Sequence, residues 1–411
     1  MIRKKIIFTI ILILILAGLA WVGVFYYNNF RGAGPAFFPP AEDITNQTTS
    51  PTTTIKPKSS VPGLKMPDGF SISIFAKNLP GARVLVFDKD GNLWVSQINE
   101  GKIAKLTIKD GRLEKQETVL SGLKHPHGLA FDPQDKNVLY IAEETKISKT
   151  TITPNGAGPL QKIIDLPGGG NHYSRTIGFG PDGRLYVSIG STCNVCHEED
   201  AHRASIWSLK KDGTDFKEVA GGLRNSVFFV WNKNNGKMWA TEMGRDLLGD
   251  DLPPDEINII DTSAKDILNF GWPNCYGKNI HDTNFDKNTY IRNPCMEPFE
   301  IPSHIDIPAH SAPLGLAFVP AAAKWWPAEY KNDLLVAYHG SWNRTVPTGY
   351  KVVRYDLDNA GNVLNVIDFI FGWIDGSKAT GRPVDIIFGQ NGKMYISDDK
   401  AGMIYQIEYA K

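Results

Sequence analysis

One short pattern occurs six times along this chain of 411 residues, and it constrains the fold more than any single motif does. Each copy has an apolar or aromatic residue, then a turn rich in Asp, Asn, Gly and Pro, then a short strand such as LWVS or LYVS. Asp-Gly and Asn-Gly favour the positive φ angles of tight hairpin turns, and the alternation in the strands is typical of half-buried β-structure. The copies begin at Phe87, Phe131, Phe179, Trp231, Phe318 and Phe388.

A single hairpin cannot bury its apolar face alone, so units that recur at intervals of about 45–90 residues must stack on one another. Six such units predict an all-β fold, a six-bladed β-propeller, over residues 63–411. Loops at one face of a propeller converge around its central channel. Residues far apart in the chain are therefore expected to share a site there.

The first 30 residues differ from the rest of the chain. The basic residues 3–5 precede Ile6–Tyr27, which carries no charge and as a helix would span about 33 Å, enough to cross a bilayer. Basic residues before the span, with only Arg31 soon after it, predict a cytoplasmic N-terminus and a propeller outside the cytoplasm. Since no small-x-small cleavage site is evident, an uncleaved transmembrane signal-anchor over 1–30 is favoured over a cleaved signal peptide.

Residues 31–62 are rich in Pro, Thr, Ser and Asn, a composition that predicts an extended linker. The chain has 44 basic and 44 acidic residues, and no block of like charge beyond the first five positions. Nucleic acid is therefore not an expected partner, because a surface that binds it needs concentrated positive charge. The membrane is an expected partner through the N-terminal helix.

The four cysteines fall into two groups, Cys193 with Cys196 and Cys275 with Cys295. An even number of cysteines in an oxidising compartment predicts a disulfide within each group. The segment from Cys193 to His197 also fits CxxCH, the attachment motif of c-type haem. Haem c normally comes with a small helical domain that wraps the porphyrin, whereas this copy lies in a loop of a predicted blade. The local disulfide is therefore the favoured interpretation.

Several loop phrases within 63–411 carry a resemblance to one family. They are PHGLAF, HYSRTIGFGPDGRLYVSIGS, GLRN, GRDLLGDDLPPDEIN, NFGWPNCYG, YHGSWNR, GYKVVR and GRPVD. Together and in this order they resemble the pyrroloquinoline-quinone (PQQ)-dependent glucose/sorbosone dehydrogenase family, and the last several are more similar to its sorbosone-like branch. The resemblance implies a quinoprotein dehydrogenase, with PQQ and Ca²⁺ as cofactors and a small sugar, polyol or aldehyde as substrate.

The resemblance also implies roles for individual residues. His172, eight residues before Gly180, matches the catalytic histidine, and a neutral imidazole is a suitable base near pH 7. PQQ carries three carboxylates, which arginine binds better than lysine because its guanidinium is planar and bidentate. The implied cofactor contacts are Arg224, Asn225 and Arg382, with Arg83, His339 and Arg344 matched less closely.

For Ca²⁺, the resemblance implies backbone carbonyl ligands at Gly244 and Arg245, oxygens that this hard cation accepts readily. An acidic run follows them. In the family, part of that segment belongs to a second, structural calcium site, and a solvated acidic loop is the alternative interpretation. The run consists of Asp250, Asp251, Asp255 and Glu256.

At one position the sequence departs from the glucose-dehydrogenase pattern. An aspartate there orients the catalytic histidine, and the aligned residue in this chain is Ser191. A hydroxyl is expected to hold an imidazole tautomer less firmly than a carboxylate does. His125 and His127 precede the second repeat and are candidates to compensate, or simply structural polar groups.

Two further functions stay open at the level of sequence. A six-bladed calcium-dependent lactonase has the same fold, but its ion is held by side-chain oxygens rather than by the backbone groups implied here. A non-catalytic propeller that binds a surface glycan or protein is the other alternative, because a fold by itself does not establish a function.

Overall fold

The structure consists of an N-terminal helix and a β-propeller. The computed structural model describes residues 2–29, 58–296, 298, 300–323, 325–390 and 392–409. The helix Ile2–Asn29 contains the span Lys5–Tyr26, whose 22 residues and mean hydropathy of 2.8 suit a membrane anchor or a signal sequence. Most of the predicted linker, residues 31–57, lies outside the described residues.

Six sheets form the blades of the propeller. In each blade, the strand before the turn of the repeated pattern is called the first strand and the strand after it the second strand. The blades are numbered in the order in which these first strands occur along the chain. Blade 1 contains Ala82–Phe87, Leu93–Gln97, Lys102–Lys109 and Arg112–Leu120. Blade 2 contains Gly128–Phe131, Val138–Glu143, Lys146–Thr153, Gly156–Ala157 and Gln161–Asp165. Blade 3 contains Ile177–Phe179, Leu185–Ile189, Ser205–Leu209, Lys217–Gly221 and Leu268–Asn269.

The remaining blades complete the ring. Blade 4 contains Phe229–Trp231, Met238–Glu242, Asp255–Ile260 and Ile305–Ile307. Blade 5 contains Pro313–Phe318, Leu334–Tyr338, Lys351–Leu357 and Val363–Phe371. Blade 6 contains Pro383–Phe388, Met394–Asp398, Met403–Tyr409, Phe70–Ala76 and Lys58–Ser59. Outside the blades lie the hairpins Cys275–Tyr276 with Ile280–His281 and Ile374–Asp375 with Lys378–Ala379, and the 3₁₀ helix Ala328–Tyr330.

Blade 6 closes the ring by combining both ends of the propeller. The strand Phe70–Ala76 pairs antiparallel with Met403–Tyr409, with Ile72 opposite Ile407. Because strands from the start and the end of the propeller pair in this one sheet, the ring is held closed. The predicted six-bladed all-β propeller is confirmed.

Each copy of the repeated pattern joins the first and second strands of one blade. In blade 1 the Asp88 carboxylate accepts hydrogen bonds from the Asn92 backbone N–H at 2.8 Å and from the Trp94 Nε1–H at 3.0 Å. The aspartate therefore ties the turn to the strand that follows, which explains its place in the pattern.

The second strands are more deeply buried than the alternation predicts. Leu93–Gln97 is buried at every position, and so are Leu185–Ile189, Met238–Glu242, Leu334–Tyr338 and Met394–Asp398. The expectation of half-buried strands was wrong here because each blade packs against a neighbour on both faces. A propeller thus covers surfaces that a single sheet would expose to water.

Both predicted disulfides form, Cys193–Cys196 and Cys275–Cys295. The first closes a loop directly after the second strand of blade 3, and its bond uses both sulfurs that a thioether link to haem requires. His197 packs its ring 5.2 Å from that of Phe285. The second disulfide closes the long connection inside blade 4.

Two kinds of connection open on the same face of the propeller: those that enter a first strand and those that leave a second strand. This follows from the antiparallel pairing of the two strands in every blade. The loops with His172, Arg224, Gly244, His339 and Arg382 all have one of these positions. We call this side of the molecule the upper face.

Candidate active site

His172 is held on the upper face by Ser191. Its Nδ1 atom lies 2.9 Å from both the backbone oxygen and the Oγ atom of Ser191. The Ser191 hydroxyl donates its own proton to the Cys193 carbonyl oxygen at 2.8 Å, so toward His172 it acts as an acceptor. Two acceptors at Nδ1 place the proton of the neutral ring there and leave a lone pair on Nε2.

Burial lowers the pKa of His172 to about 3, and the nearby positive charge of Arg224 adds to that effect. In the part of the chain that the structure describes, Nε2 has no hydrogen-bond partner. The ring is therefore a neutral base with its accepting nitrogen available. The hydroxyl expected to hold the tautomer weakly is helped by a second acceptor, the backbone oxygen of the same residue.

Gly190 allows two predicted site residues to meet. A Cβ atom at this position would lie 2.7 Å from both the His172 Cβ and the Asn225 Oδ1. Only glycine leaves the space that brings His172 beside Asn225. A lone glycine after a strand carries no signal that identifies this role, and sequence reasoning missed it.

Arg224 lies at the centre of a dense set of contacts and is 5% exposed. Its Nη1 donates to the Gly244 carbonyl oxygen at 3.0 Å, and its Nη2 lies 3.2 Å from the Asp246 carboxylate. Its Nε donates to the backbone oxygen of Asn194 at 2.8 Å, and its Nη2 also donates to the Asn194 Oδ1 at 3.1 Å. The guanidinium is thus held in one orientation beside Gly244–Asp246, the segment with the predicted calcium ligands, which we call the calcium loop.

Asn225 is supported by Glu242, a residue that sequence reasoning also missed. The Asn225 backbone N–H donates to the Glu242 Oε1 at 2.8 Å. Burial raises the pKa of Glu242 well above its usual value. The carboxylate that pairs directly with Arg224 is that of Asp246.

Three other predicted cofactor residues form a second cluster. Arg382 places Nη1 3.4 Å from the His339 Nδ1 and donates through Nη2 to the Tyr350 hydroxyl at 3.0 Å. The His339 Nε2 lies 2.9 Å from Asp399, whose other oxygen accepts from Arg83 at 2.9 Å. Asp399, which was not predicted, thus joins residues from blades 5, 6 and 1.

Arg344 lies apart from both clusters. It donates to the Asp250 backbone oxygen and to the Asp251 carboxylate, each at 2.8 Å, and to the Ala309 backbone oxygen at 3.1 Å. These contacts fix the acidic loop. The structure does not bring Arg344 into contact with the other predicted cofactor residues.

The predicted calcium loop is tightly built. A Cβ atom on Gly244 would lie 2.7 Å from the Pro254 oxygen, and the Gly244 N–H donates to Asp255 at 2.8 Å. The Asp246 carboxylate accepts from the Asn343 Nδ2 at 3.0 Å. The carbonyl oxygens of residues 244 and 245 and the neighbouring carboxylate are hard donors of the kind that suits Ca²⁺. Asp246 and Asn343 were not among the predicted residues.

The acidic run does not act as one group. Asp255 accepts from the Gly244 N–H and, through its other oxygen, from the Ala312 N–H at 2.8 Å. It therefore links the calcium loop to the segment that enters blade 5. Glu256 accepts instead from the Gly277 N–H at 2.5 Å. Burial raises the pKa of both carboxyl groups to about 7. These two residues are buried, so a fully solvated acidic loop does not describe the run.

His125 and His127 have different surroundings. His125 bonds through Nδ1 to Glu144 at 2.8 Å and packs its ring 4.5 Å from that of Tyr173, the neighbour of His172. His127 is fully buried, and burial lowers its pKa well below the usual value. His125 therefore contacts the residue next to His172, whereas His127 is a neutral side chain of the interior.

Comparison with known proteins adds a family. The sequence profile of the TrAA12-like family matches residues 64–410. An uncharacterized protein of Borreliella burgdorferi is 34% identical over 85% of this chain and 91% of its own. A pyrroloquinoline quinone-dependent pyranose dehydrogenase of Coprinopsis cinerea is 23% identical over 85% of this chain, but the match spans only 56% of that protein.

A solved structure supports the same fold. The calcium structure of a Trichoderma reesei carbohydrate-active enzyme of family AA12 superposes with a TM-score of 0.72 at 20% identity. The superposition covers 87% of this chain and 100% of that one. At this identity the likeness establishes the propeller fold alone.

Proposed function

Because this chain belongs to the TrAA12-like family of quinoprotein sugar dehydrogenase-like propellers, we propose that it is an extracytoplasmic PQQ-dependent dehydrogenase that oxidises a sugar or a related polyol or aldehyde. The expected family resemblance is confirmed, and the sorbosone-like branch stays a prediction.

The observation that carries the proposal is the tautomer of His172. An alcohol or lactol loses a proton and a hydride when it is oxidised, so the site needs a neutral base with an open lone pair. Ser191 holds the proton on Nδ1, and Nε2 faces no partner within the described residues. His172 therefore takes the hydroxyl proton of the substrate at Nε2. PQQ, when bound against Ca²⁺, supplies the acceptor for the hydride.

The arrangement of cations supports PQQ. Arg224 beside Asn225 and Arg382 beside His339 lie on one face of the propeller, where planar guanidinium groups suit the carboxylates of the quinone. Arg83 is linked to the second cluster through Asp399 and adds positive charge. These residues would hold and orient the quinone.

The chemistry of the donors near Arg224 supports Ca²⁺. The Gly244 and Arg245 carbonyl oxygens would hold the ion, and the tight contacts of Gly244 with Pro254 and Asp255 would keep the loop in place. In the lactonase alternative the ion is held by side-chain oxygens, whereas here backbone carbonyl oxygens would hold it, so the two proposals differ in their calcium ligands.

The proposed location depends on the helix and the disulfides. Lys5–Tyr26 suits an anchor or a signal sequence, and two disulfides favour an oxidising compartment. We infer a propeller tethered to the membrane on its extracytoplasmic side, with the identity of the electron acceptor open.

The test uses the full-length protein in detergent. It is titrated with PQQ with and without Ca²⁺, and dye reduction is followed with a panel of aldoses and alditols. The expected result is stoichiometric, calcium-dependent PQQ binding and reduction by at least one sugar. In parallel, His172→Ala should keep PQQ binding and lose at least about 10²-fold in turnover.

Two outcomes would overturn the proposal. The first is absence of PQQ binding at micromolar concentrations. If the same protein then hydrolyses lactones in a calcium-dependent way, the lactonase is favoured. Unchanged affinity of His172→Ala for a glycan or protein, together with absent turnover in the wild-type protein, would favour a binding propeller.

A further inference from the structure

The loop closed by the Cys193–Cys196 disulfide, residues 191–198, contacts both halves of the proposed site. We call it the clasp loop. At its start Ser191 holds His172, and Thr192 accepts at its backbone oxygen from the Asn171 N–H at 2.9 Å. At its middle Asn194 contacts Arg224. The clasp loop therefore connects the base in front of blade 3 with the arginine in front of blade 4.

Asn194 makes four hydrogen bonds with Arg224 and Asp246. Its backbone oxygen accepts from the Arg224 Nε at 2.8 Å, and its Oδ1 accepts from the Arg224 Nη2 at 3.1 Å. The same Oδ1 accepts from the Asp246 N–H at 2.8 Å, while its Nδ2 donates to the Asp246 backbone oxygen at 3.0 Å. One amide side chain thus ties the guanidinium and the backbone of the calcium loop together.

The clasp loop is closed twice at its base, and this closure presents Asn194. The disulfide joins Cys193 to Cys196 on either side of it. Glu198 accepts from the Thr192 N–H at 2.6 Å and from the Thr192 hydroxyl at 2.8 Å. A loop constrained in this way loses little further entropy when its amide contacts its partners, which favours a fixed geometry.

We propose that Asn194 is the positioning residue for the cofactor site: presented by the disulfide-closed clasp loop, it sets the orientation of Arg224 and joins it to the Gly244–Asp246 loop. The inference rests on the proposed function and assigns to the CxxC motif a role in the site. Arg224 has competing partners in Gly244 and Asp246, and a guanidinium on a flexible side chain needs such bonds to keep one orientation. Without the amide, Arg224 keeps its direct bonds to Gly244 and Asp246 but loses the side-chain contact that fixes its Nη2 atom toward the clasp loop.

The test measures PQQ affinity, which a purely local structural role would leave unchanged. Asn194→Ala removes three of the four bonds and should weaken PQQ binding at least about 10-fold, the usual effect of losing hydrogen bonds to a charged group. Asn194→Asp keeps the two bonds in which Oδ1 accepts. It loses the bond to the Asp246 backbone oxygen, because a carboxylate oxygen replaces the donating Nδ2 group. It should bind PQQ within about threefold of the wild-type protein but need more Ca²⁺ for half-maximal binding.

One control and one further test accompany these variants. Asn155→Ala changes an exposed turn of blade 2 and should leave both PQQ affinity and calcium dependence unchanged. The double variant Cys193→Ala/Cys196→Ala opens the clasp loop and should weaken PQQ binding in the same direction as Asn194→Ala. Circular dichroism and the melting temperature of each variant without cofactor show that the propeller is folded.

The outcomes separate the two proposals. If folded Asn194→Ala binds PQQ within twofold of the wild-type protein, with the same calcium dependence, the positioning role is wrong while the dehydrogenase proposal stands. If Asn194→Asp is as weak as Asn194→Ala, the bond to Arg224 is not what matters and the inference is equally overturned. If the wild-type protein binds no PQQ, the proposed function fails and this inference fails with it.

Discussion

The Nδ1 atom of His172 lies 2.9 Å from the Oγ atom of Ser191, and that hydroxyl donates onward to the Cys193 carbonyl oxygen. The direction of this short chain is determined, because a carbonyl oxygen only accepts. A serine that donates away from the histidine can therefore hold the same tautomer as a carboxylate would. What it does not provide is a negative charge to stabilise the imidazolium once the proton has been taken.

Removal of the Ser191 hydroxyl should reduce turnover without abolishing it. In Ser191→Ala the backbone oxygen remains as an acceptor for Nδ1, so we expect kcat to fall about 10-fold rather than the loss of at least about 10²-fold predicted for His172→Ala. Steady-state kinetics with the reconstituted protein measure this. Ser263→Ala, in an exposed turn, is the matched control. An unchanged kcat would show that the hydroxyl does not orient the base.

The low pKa of His172 predicts an enzyme that tolerates acid. An unperturbed histidine with a pKa of about 6.5 would be only a few per cent neutral at pH 5, which costs about 30-fold in kcat/KM. Since burial lowers the pKa of His172 to about 3, we expect kcat/KM to change less than threefold between pH 7 and pH 5. A loss with an apparent pKa near 6.5 would contradict the buried environment of the ring.

The same shift predicts how stability depends on pH. The unfolded chain protonates this histidine near pH 6.5, whereas the folded protein resists protonation down to about pH 3. The folded state therefore loses stability as the pH falls through that range. His172→Gln cannot titrate, so its melting temperature should rise relative to that of the wild-type protein between pH 7 and pH 4. A constant difference over this range would be inconsistent with the shift.

The two predicted arginines Arg382 and Arg344 should behave differently. Arg382→Ala removes a cation from the cluster with His339 and should weaken PQQ binding by about 10- to 100-fold. Arg344 bonds to the acidic loop instead, so Arg344→Ala should leave PQQ affinity within about threefold of the wild-type value. Titration by absorbance compares them directly. Equal losses would place Arg344 in the cofactor site.

Calcium removal should be reversible and specific. Chelation of the holoenzyme is expected to abolish dye reduction, and Ca²⁺ should restore it better than Mg²⁺, which prefers a near-ideal octahedral shell. Gly244→Ala would place a Cβ atom 2.7 Å from the Pro254 oxygen, so this variant should need at least about 10-fold more Ca²⁺. Full activity of the chelated protein would remove calcium from the mechanism.

Glu300 is expected to destabilise the propeller at alkaline pH. Both of its carboxylate oxygens are buried without a partner among the described residues, and burial raises its pKa to about 8. Because the folded pKa lies above that of the unfolded chain, its neutral form favours folding at low pH and that contribution is lost as the pH rises toward 8. Glu300→Gln should therefore melt higher than the wild-type protein at pH 8.5 and equally at pH 5. Equal melting at both values would contradict this.

Much of the site could be anticipated from local patterns. The strand-turn repeat at Phe87 and its copies predicted the number of blades, since alternating strands with tight turns need neighbours. Two pairs of cysteines predicted two disulfides. The resemblance pointed to His172, Arg224 and Arg382, and the structure places all three on the upper face.

For other residues the sequence did not reveal the role. Gly190 and Asn343 lie within family-like phrases and Glu242 does not, but nothing local marks what any of them contacts: the His172 side chain, the Asp246 carboxylate and the Asn225 backbone. Arg344 lies in a phrase typical of the family, yet its partners are carbonyl and carboxylate oxygens of the acidic loop. Such contacts join residues separated by tens of positions, so no pattern in one segment reports them.

The elements could be read from the chain alone: the repeat specifies hairpins, the hairpins require a closed ring of blades, and the apolar N-terminal span suits a bilayer. How the side chains meet became evident from the folded molecule. The Ser191 hydroxyl beside His172 donates to the Cys193 carbonyl oxygen, and the Arg224 guanidinium donates to an amide from a loop of a different blade. Backbone preferences are local and can be recognised along the chain. Hydrogen bonds between loops depend on the relative positions of whole blades, which exist only once the ring has closed.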